Sequence, residues 1–268
     1  MLNRVPVGPA RLAVRRLGFR PWQGTVEIEA APVQDADTPL GQSRLLGFDT
    51  ETTGVAMGRD AIVSATLVLR DPRSAHDGDV IDTWIINPHR RMSPGASKVN
   101  GFTDAFLAEH GEEPIDAIER IASLIALAQS KRIPLLAYNA PFDIRMLAGD
   151  LNRWQLRPME ERLDGRAMLV VDPLVIDRSV SRRSGKRTLE YTTEYYGVEP
   201  DGDFHDATAD TIAAVDLIAP MTTLYPQVGH ITLEGLMNWQ RHAYGTWRES
   251  YNRWLAGRGR APVRESWL

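Results

Sequence analysis

Residues 45–54 read Leu-Leu-Gly-Phe-Asp-Thr-Glu-Thr-Thr-Gly, a short apolar run that ends in two acids and a polar turn. The apolar residues predict a buried β-strand over Leu45–Asp49. Side chains two residues apart in an extended chain lie on the same face, so the carboxylates of Asp49 and Glu51 can reach one cation. The stretch therefore predicts a strand that ends at a metal-binding edge.

Two further segments place acids at the ends of predicted elements. Asn139 and Asp143 lie four residues apart across a helix start, which puts both on one helical face. His205 and Asp210 lie at the start of a strongly helical segment, and a histidine just before the first turn can swing over the same site. Each acid alone fits a helix cap or a solvated turn, as we interpret Asp206. Together they predict a metal site, because buried carboxylates repel one another unless cations neutralise them.

Composition narrows the choice of metal and of compartment. The chain has 268 residues, 43% of them apolar, and no cysteine. A core of useful size can form, and disulfides and thiolate metal sites are excluded. The remaining oxygen and imidazole ligands favour Mg²⁺ or Mn²⁺ over zinc. The absence of cysteine predicts a cytoplasmic protein, and no apolar run approaches the roughly 20 residues that a membrane span needs, so no membrane contact is expected.

Charge and composition divide the chain into three predicted segments. Residues 1–40 form a basic N-terminal extension and linker, with a short strand at Thr25–Ile28. Residues 41–225 form the main domain, and residues 226–268 form a C-terminal helix that ends in a frayed basic tail. The net charge is −4, but segregated charge makes net charge a poor guide to partners, so nucleic acid is not excluded.

Periodicity within the main domain predicts an α/β fold. β-Branched runs at Ala61–Arg70 and Val80–Asn87 follow the first strand as an antiparallel meander. Short buried strands are predicted at Ile133–Tyr138 and Met168–Val171, and helical stripes separate and follow them. The last of these helices spans His205–Leu217 and should stop at Pro220. The order βββ-α-β-α-β-α predicts a mixed sheet with helices on its faces.

The three acid-bearing segments, in this order and context, resemble the DnaQ-type 3′–5′ exonucleases, the family named DEDDh after four acids and a histidine. Residues 48–54 match its first motif, residues 139–143 (Asn-Ala-Pro-Phe-Asp) its second, and His205 with Asp210 its third. The resemblance covers about residues 44–224 and is of the DNA polymerase III epsilon-subunit type. It implies an RNase H-like fold, a mixed five-stranded sheet flanked by helices. Residues 239–254 also resemble the tails of some actinobacterial members, which implies the actinobacterial or phage branch of the family.

The resemblance implies metal-dependent hydrolysis at the 3′ end of a nucleic acid. Asp49, Glu51, Asp143 and Asp210 would bind two Mg²⁺ or Mn²⁺ ions. His205 would be the general base for the attacking water, since an imidazole titrates near the working pH. The products would be nucleoside 5′-monophosphates.

Candidate substrate contacts lie next to the predicted ligands. Thr52, Thr53 and Asn139 are candidates for holding the terminal nucleotide. Asn100 stands where the family usually has histidine and is a candidate contact to the sugar–phosphate backbone. Phe142 could stack near a base, although its place on an apolar helix face favours a position in the core.

Two basic regions have both a functional and a structural interpretation. Arg183, Lys186 and Arg187 crowd a Ser/Gly-rich loop that is either solvated or a clamp for backbone phosphates. The tryptophans and arginines after residue 231 suit stacking with single-stranded nucleic acid. Anchoring of the C-terminal helix to the domain is the favoured interpretation of the tryptophans.

The leading hypothesis is a DNA exonuclease, either alone or as a proofreading subunit with a DNA polymerase as partner. Its substrate would be a nucleic acid with a 3′ end, with single-stranded DNA as the expected form. An RNA or oligoribonucleotide exonuclease would use the same chemistry, because sugar choice depends on a few contacts to the 2′ position. The alternative from another class is a non-catalytic module that binds nucleic acid or a polymerase, and such a module would be expected to have lost a ligand.

Overall fold

Five strands form one mixed sheet in the computed structural model, which describes residues 23–74, 78–199 and 206–268. They are β1 (Leu45–Thr52), β2 (Ile62–Arg70), β3 (Val80–Ile85), β4 (Leu135–Leu136) and β5 (Val170–Val171). The strand order is β3-β2-β1-β4-β5. The first three strands are antiparallel neighbours, and β1, β4 and β5 run parallel. The predicted mixed five-stranded sheet is confirmed.

Twelve helices accompany the sheet within the described residues. In chain order they are α1 (Gln23–Ala30), α2 (Pro94–Asn100), α3 (Asp104–His110), α4 (Pro114–Ser130), α5 (Pro141–Arg153), α6 (Met159–Arg162), α7 (Pro173–Val180), α8 (Leu189–Tyr196), α9 (Ala207–Asp216), α10 (Ile218–Leu224), α11 (Pro226–Gly229) and α12 (Leu233–Ala256). None of the helices in this part of the chain is both long and apolar enough to cross a membrane.

Alternation along β1 separates two apolar cores. Leu46 and Phe48 lie in one core with α4 and α5, whereas Leu45 lies in the other core with α9, α10 and the start of α12. By the same alternation, Asp49 and Glu51 lie on the α9 face of β1, and Thr50 lies on the α5 face. The two faces of this one strand therefore meet the two helices whose first turns carry the other predicted acids.

Gly47 allows α9 to lie close against β1. A β-carbon at this position would lie 2.6 Å from Cγ2 of Val215 and 2.7 Å from Cγ2 of Thr211. Both neighbours are β-branched residues in a helix, so their side chains have little freedom to turn away. The missing side chain at position 47 thus sets the distance between β1 and the helix that carries Asp210.

The N-terminal part of the described chain differs from prediction. The strand predicted at Thr25–Ile28 is wrong, because these residues lie in α1. The helix buries Ile28 to 1% exposure and leaves Val26 62% exposed, so the alternating pattern does not mark two faces of a strand. Gln34 is also buried, and its side chain accepts from the Arg44 amide and donates to the Arg132 carbonyl. Residues 23–40 are therefore packed on the domain and are not a linker. Residues 1–22 of the predicted basic N-terminal extension lie outside the described residues.

The C-terminal part also differs from prediction in two places. α9 ends at Asp216, one residue before the predicted end at Leu217, but the prediction that Pro220 stops the helix is wrong, because this proline lies in the first turn of α10. A proline in the first turn of a helix removes no intrahelical hydrogen bond. The predicted frayed tail is wrong as well. Trp267 is 2% exposed and its indole Nε1 donates to Asp172 Oδ2 at 2.9 Å.

We predict that Gly47→Ala lowers the free energy of unfolding by about 1–3 kcal/mol, because the added methyl group overpacks the contact between β1 and α9. Urea denaturation measures the change. Gly95→Ala is the matched control, because no atom lies within 4 Å of a β-carbon there. Equal stability of the two variants would contradict the close approach of α9.

Candidate active site

Three carboxylates from two elements meet at the C-terminal end of β1. Asp49 and Glu51 project from the strand, and Asp210 projects from the first turn of α9. One carboxylate oxygen of each residue lies within 4.8 Å of the other two, and all three side chains are partly buried. The structure thus brings together three of the predicted metal ligands, which we call the carboxylate triad.

Asp143 lies beside the triad and approaches from the other face of β1. Its side chain, in the first turn of α5, is 2% exposed. Its Oδ1 accepts a hydrogen bond of 2.7 Å from the hydroxyl of Thr50. Its charge raises the pKa of both Asp49 and Glu51. All four predicted acids therefore interact at one end of the sheet.

Burial and mutual repulsion raise the pKa values of these acids. Burial, followed by the charges of Asp143 and Asp210, holds the pKa of Asp49 well above its usual range. Burial and the charge of Asp210 raise the pKa of Glu51 to about 8. Burial raises that of Asp143 to about 7, although the hydrogen bond from Thr50 opposes the rise. The site favours protons or a cation, and its closely spaced carboxylate oxygens suit a hard divalent ion such as Mg²⁺ or Mn²⁺.

Asn100 lies at the triad. Its side chain is 6% exposed and donates from Nδ2 to the carbonyl of Thr52 at 3.3 Å, while its Oδ1 accepts from the Phe102 amide. A hydrogen bond from Asn100 also lowers the pKa of Glu51 in part. The residue that departs from the family pattern therefore orients a predicted metal ligand.

Thr52 and Thr53, two predicted substrate contacts, are buried where β1 ends at Thr52 and the next loop begins at Thr53. The Thr52 hydroxyl donates to the carbonyl of Gly54 at 2.7 Å. The Thr53 hydroxyl accepts from the Ala61 amide and donates to Asp60. Both hydroxyls hold the loop in shape, and contact between these residues and substrate stays a prediction.

Asn139 lies in the turn between β4 and α5 and is exposed, with a left-handed backbone (φ 65°). Asp172, at the end of β5, accepts the amides of Asn139 at 3.0 Å and Ala140 at 3.2 Å. Asp172 thereby fixes the turn that leads into the first turn of α5 and Asp143. Phe142 is half-buried and packs against the core on the α5 face of the sheet, the position that the sequence favoured.

Trp267 completes the donors around Asp172. Besides the two amides of the turn, this buried carboxylate accepts from the Leu174 amide at 3.0 Å and from the indole of Trp267 at 2.9 Å. Burial raises the pKa of Asp172, and the hydrogen bond from Trp267 is the largest opposing contribution. The C-terminal tail therefore supports the turn that carries Asn139.

The basic loop is tied mainly to one buried acid. Arg183 and Arg187 both donate to the carboxylate of Asp177, whose side chain is fully buried. The ammonium group of Lys186 lies 5.3 Å from the centre of the Tyr191 ring. The two guanidinium groups thus have a structural role in this fold, and phosphate binding by the loop stays a prediction.

His205 lies outside the described residues. Asp206, which follows it, is described, and its Oδ1 accepts the amides of Thr208 and Ala209 as the N-cap of α9. This matches the interpretation of Asp206 as an acid that stabilises the helix start.

Sequence reasoning missed three residues that shape the site: Thr50, Asp172 and Trp267. The pair Asp172-Pro173 after an apolar run is an N-cap pattern that could have marked the acid as structural. Thr50 could have been found from alternation, because it faces away from the two acids that flank it. Trp267 had no local signal, since its partner is 95 residues away.

Comparison with known proteins places the chain in a family. The model of the exonuclease family RNase_T matches residues 46–218. The chain belongs to this exonuclease family. The matched range contains all five predicted catalytic positions, and the prediction of an exonuclease is confirmed at the level of the family.

A curated relative is the DNA polymerase III subunit epsilon-like protein of Rhodobacter capsulatus. It is 29% identical over 187 residues, which is 68% of this chain and 24% of the relative. The exonuclease therefore spans about a quarter of the length of this relative. The predicted actinobacterial or phage branch stays a prediction.

Solved structures share the fold. Escherichia coli exonuclease I in complex with a dT13 oligonucleotide has a TM-score of 0.58 at 22% identity, over 70% of this chain and 42% of that chain. A moderately thermophilic exonuclease I from Methylocaldum szegediense has a TM-score of 0.55 at 22% identity, over 69% and 42%. The predicted RNase H-like fold is confirmed, and at these identities the likeness extends to the fold alone.

We predict that the cation-free protein loses stability as the pH rises from about 4.5 to about 8. Glu51 binds its proton more tightly in the folded protein than in the unfolded chain, where its ordinary pKa is 4.5. The stabilisation is therefore complete below that value and is lost as the pH rises through about 8. Asp143 acts in the same direction up to about 7. Thermal unfolding in EDTA over this pH range measures the loss.

Glu51→Gln isolates this effect, because it removes the titrating carboxyl and keeps an oxygen acceptor for Asn100. In EDTA at about pH 8 the variant should be more stable than the wild type by at least about 1 kcal/mol, the equivalent of somewhat less than one pKa unit. Near pH 4 the two proteins should match. Glu109→Gln is the control, because its side chain is 74% exposed. A wild type whose stability does not change with pH would contradict the raised pKa values.

We also predict that Trp267→Phe lowers the free energy of unfolding by about 1–3 kcal/mol, because it removes one donor from a buried carboxylate. Urea denaturation measures the loss. Trp254→Phe is the matched control, since Trp254 is 43% exposed. Equal stability of both variants would show that the tail does not hold Asp172.

Proposed function

We propose that this member of the exonuclease family is a metal-dependent 3′–5′ exonuclease that acts on DNA. The observation that carries the proposal is the carboxylate triad, whose oxygens lie within 4.8 Å of one another, with Asp143 beside it. Buried like charge of this kind opposes folding unless a cation neutralises it. Such an arrangement supports a functional site rather than a structural one.

Asp49, Glu51, Asp143 and Asp210 would hold two Mg²⁺ or Mn²⁺ ions. When bound, these cations supply the positive charge that activates water and stabilises the charge developing on the phosphate in the transition state. Residues of the chain hold the ligands in place beforehand, since Thr50 donates to Asp143 and Asn100 donates to Glu51. Such outer hydrogen bonds fix the orientation of metal ligands.

We assign the general base to His205, immediately before the N-cap of α9. Its imidazole would take a proton from the attacking water, and the ordinary pKa of histidine, about 6.5, suits this transfer near neutral pH. The oxygen of that water bonds to the phosphorus of the terminal nucleotide, and the bond between this phosphorus and the 3′ oxygen of the preceding nucleotide breaks. The 3′ oxygen takes up a proton from solvent, and a nucleoside 5′-monophosphate leaves.

The preference for single-stranded DNA rests on the named relatives. Escherichia coli exonuclease I is described in complex with an oligothymidylate, and the Rhodobacter capsulatus relative is described as like a DNA polymerase III subunit. By analogy with these relatives, we propose single-stranded DNA as the substrate of this chain and a DNA polymerase as a candidate partner. Asn139, exposed in the turn that leads to Asp143, is the best placed of the predicted contacts to the terminal nucleotide.

Paired digestion tests the proposal. DNA and RNA oligonucleotides of one sequence, labelled at the 5′ end, are incubated with Mg²⁺ or with EDTA. We expect DNA to shorten stepwise from its 3′ end, only with Mg²⁺, and to release nucleoside 5′-monophosphates. Asp49→Asn should lower the rate by at least about 100-fold, as expected when charge stabilisation of the transition state is removed. Asp164→Asn is the control, because its side chain is 81% exposed.

Each proposed feature has an outcome that overturns it. If only RNA is shortened, the proposed DNA substrate is wrong. If the strand is shortened from its 5′ end, the proposed 3′–5′ direction of hydrolysis is wrong. If Asp49→Asn hydrolyses DNA as fast as the wild type, the assignment of the active site to Asp49 is wrong. Failure to cleave either nucleic acid with Mg²⁺ or Mn²⁺ would favour a binding module without catalysis.

A further inference from the structure

The buried stripe of α12 continues beyond the body of the domain. Leu236 and Gln240 are fully buried. At the same helical spacing follow Trp247, Tyr251 and Trp254, so all five side chains lie on one face of the helix. Exposure rises along this face, and Trp254 is 43% exposed. The helix therefore presents an aromatic surface on the side that faces the domain, past the point where the domain covers it.

This surface lies past the edge of the sheet that carries the carboxylate triad. The start of α12 is tied to the segment before β1, where the Leu40 amide donates to the Ile231 carbonyl. At Gln240 the helix passes the C-terminal end of β5, because this side chain bonds to the backbone of both Val170 and Asp172. β5 runs parallel to β1, so this end belongs to the same sheet edge as the triad. The rest of α12 extends roughly 20 Å further, at 1.5 Å per residue.

The three aromatic rings form an ordered stack, which we call the aromatic stack. The ring centres of Trp247 and Tyr251 are 5.3 Å apart with planes 14° apart, and those of Tyr251 and Trp254 are 5.4 Å apart with planes 13° apart. The guanidinium of Arg178 lies 3.8 Å from the centre of the Trp247 ring, and that of Arg258 lies 3.9 Å from the Trp254 ring. A planar cation thus covers each end of the stack.

Charge around the aromatic stack is positive. Residues 241–268 contain six arginines and two glutamates, although the whole chain has a net charge of −4. The C-terminal tail runs along a different face of α12, where Asn252 pairs with the backbone of Val263 and Arg248 donates to the carbonyl of Glu265. The tail therefore leaves the outer end of the stack, Trp254 with the exposed Arg258, open to a ligand.

We propose that the aromatic stack binds the single-stranded part of the nucleic acid, several nucleotides before its 3′ end. The proposal rests on the proposed function, because it assigns a second contact to the same substrate. An unpaired base stacks on the outer face of Trp254 in the place that the Arg258 guanidinium occupies. Arg258 then pairs with a backbone phosphate. Ordered aromatic rings among cations suit single strands of any sequence, because every base has a face that can stack.

Equilibrium binding in EDTA tests the proposal without hydrolysis. Labelled oligothymidylates of about three and about twelve nucleotides are titrated with the full chain, since single-strand sites span about 4–16 nucleotides. Trp254→Leu should weaken binding of the longer strand about 5- to 100-fold, the equivalent of one lost base stack. It should leave the shorter strand unaffected. Trp254→Phe should keep most of the affinity. Arg73→Ala is the charge control, because Arg73 lies in the turn between β2 and β3, at the opposite end of β1.

The outcomes separate this proposal from the nuclease proposal. If the chain binds the longer strand through Trp254 but never cleaves it, the aromatic stack is supported as a binding site and the nuclease proposal is contradicted. If Trp254→Leu binds the longer strand with unchanged affinity and cleavage is normal, the proposed binding by the aromatic stack is wrong and the nuclease proposal stands. Equal affinity for the single strand and for a duplex of the same length would also contradict binding by the aromatic stack, because the bases of a duplex are already stacked on one another. Loss of self-association in Trp254→Leu, without loss of DNA binding, would instead identify an interface between copies of the chain.

Discussion

The fold has to hold four carboxylates close together in a partly buried place, and this electrostatic constraint shapes the structure around it. Burial, followed by repulsion between neighbouring acids, raises the pKa values of Asp49, Glu51 and Asp143. A flexible site would relieve the repulsion by spreading apart. Spreading is prevented because two of the predicted ligands share a central strand, and because Gly47 allows α9, which carries Asp210, to lie close to that strand. The sheet therefore holds an unfavourable arrangement of charge that a bound cation would relieve.

Two other buried acids, Asp172 and Asp177, have hydrogen-bond donors or cations from the protein as their nearest polar neighbours. Asp172 accepts four hydrogen bonds from amides and an indole. Asp177 is paired with Arg183 and Arg187 and accepts the hydroxyl of Tyr196, and its pKa is lowered. At Asp177 these neighbours more than offset the cost of burial, whereas at Asp172, whose pKa stays raised, the donors offset it only in part. The contrast shows why burial of an acid alone does not identify a site. The informative feature is burial in which other acids are the main electrostatic neighbours.

Much of the sheet and of the site could be predicted from local patterns. A few neighbouring residues encode the apolar runs, the strand alternation, the N-cap of α9 and the proline at the start of α5. The strands and the elements that carry the four acids could therefore be predicted. The predictions that were wrong concern segments whose structure depends on residues far away in the sequence. The pattern at Val26 and Ile28 suited a strand, but packing against β3 and α4 selected a helix. Trp267 looked like part of a frayed tail because its partner, Asp172, is brought near only by the complete fold. The left-handed turn at Asn139 combines a local preference, since asparagine readily adopts this conformation, with the distant acceptor Asp172.

Asp172 also bears on where the catalytic unit ends. The family match stops at residue 218, and composition suggested a separate segment after residue 225. The structure joins these parts through one carboxylate, which holds the turn before Asp143 on one side and the tail on the other. Gln240 reinforces the junction, because its buried amide pairs with the backbone at the end of β5. Removing the tail would leave a buried carboxylate with one donor fewer, next to the helix that positions Asp143, a predicted metal ligand. The C-terminal helix and tail are therefore structurally joined to the edge of the sheet that carries the predicted ligands. Any surface that they present to nucleic acid is held in a fixed position relative to the four carboxylates.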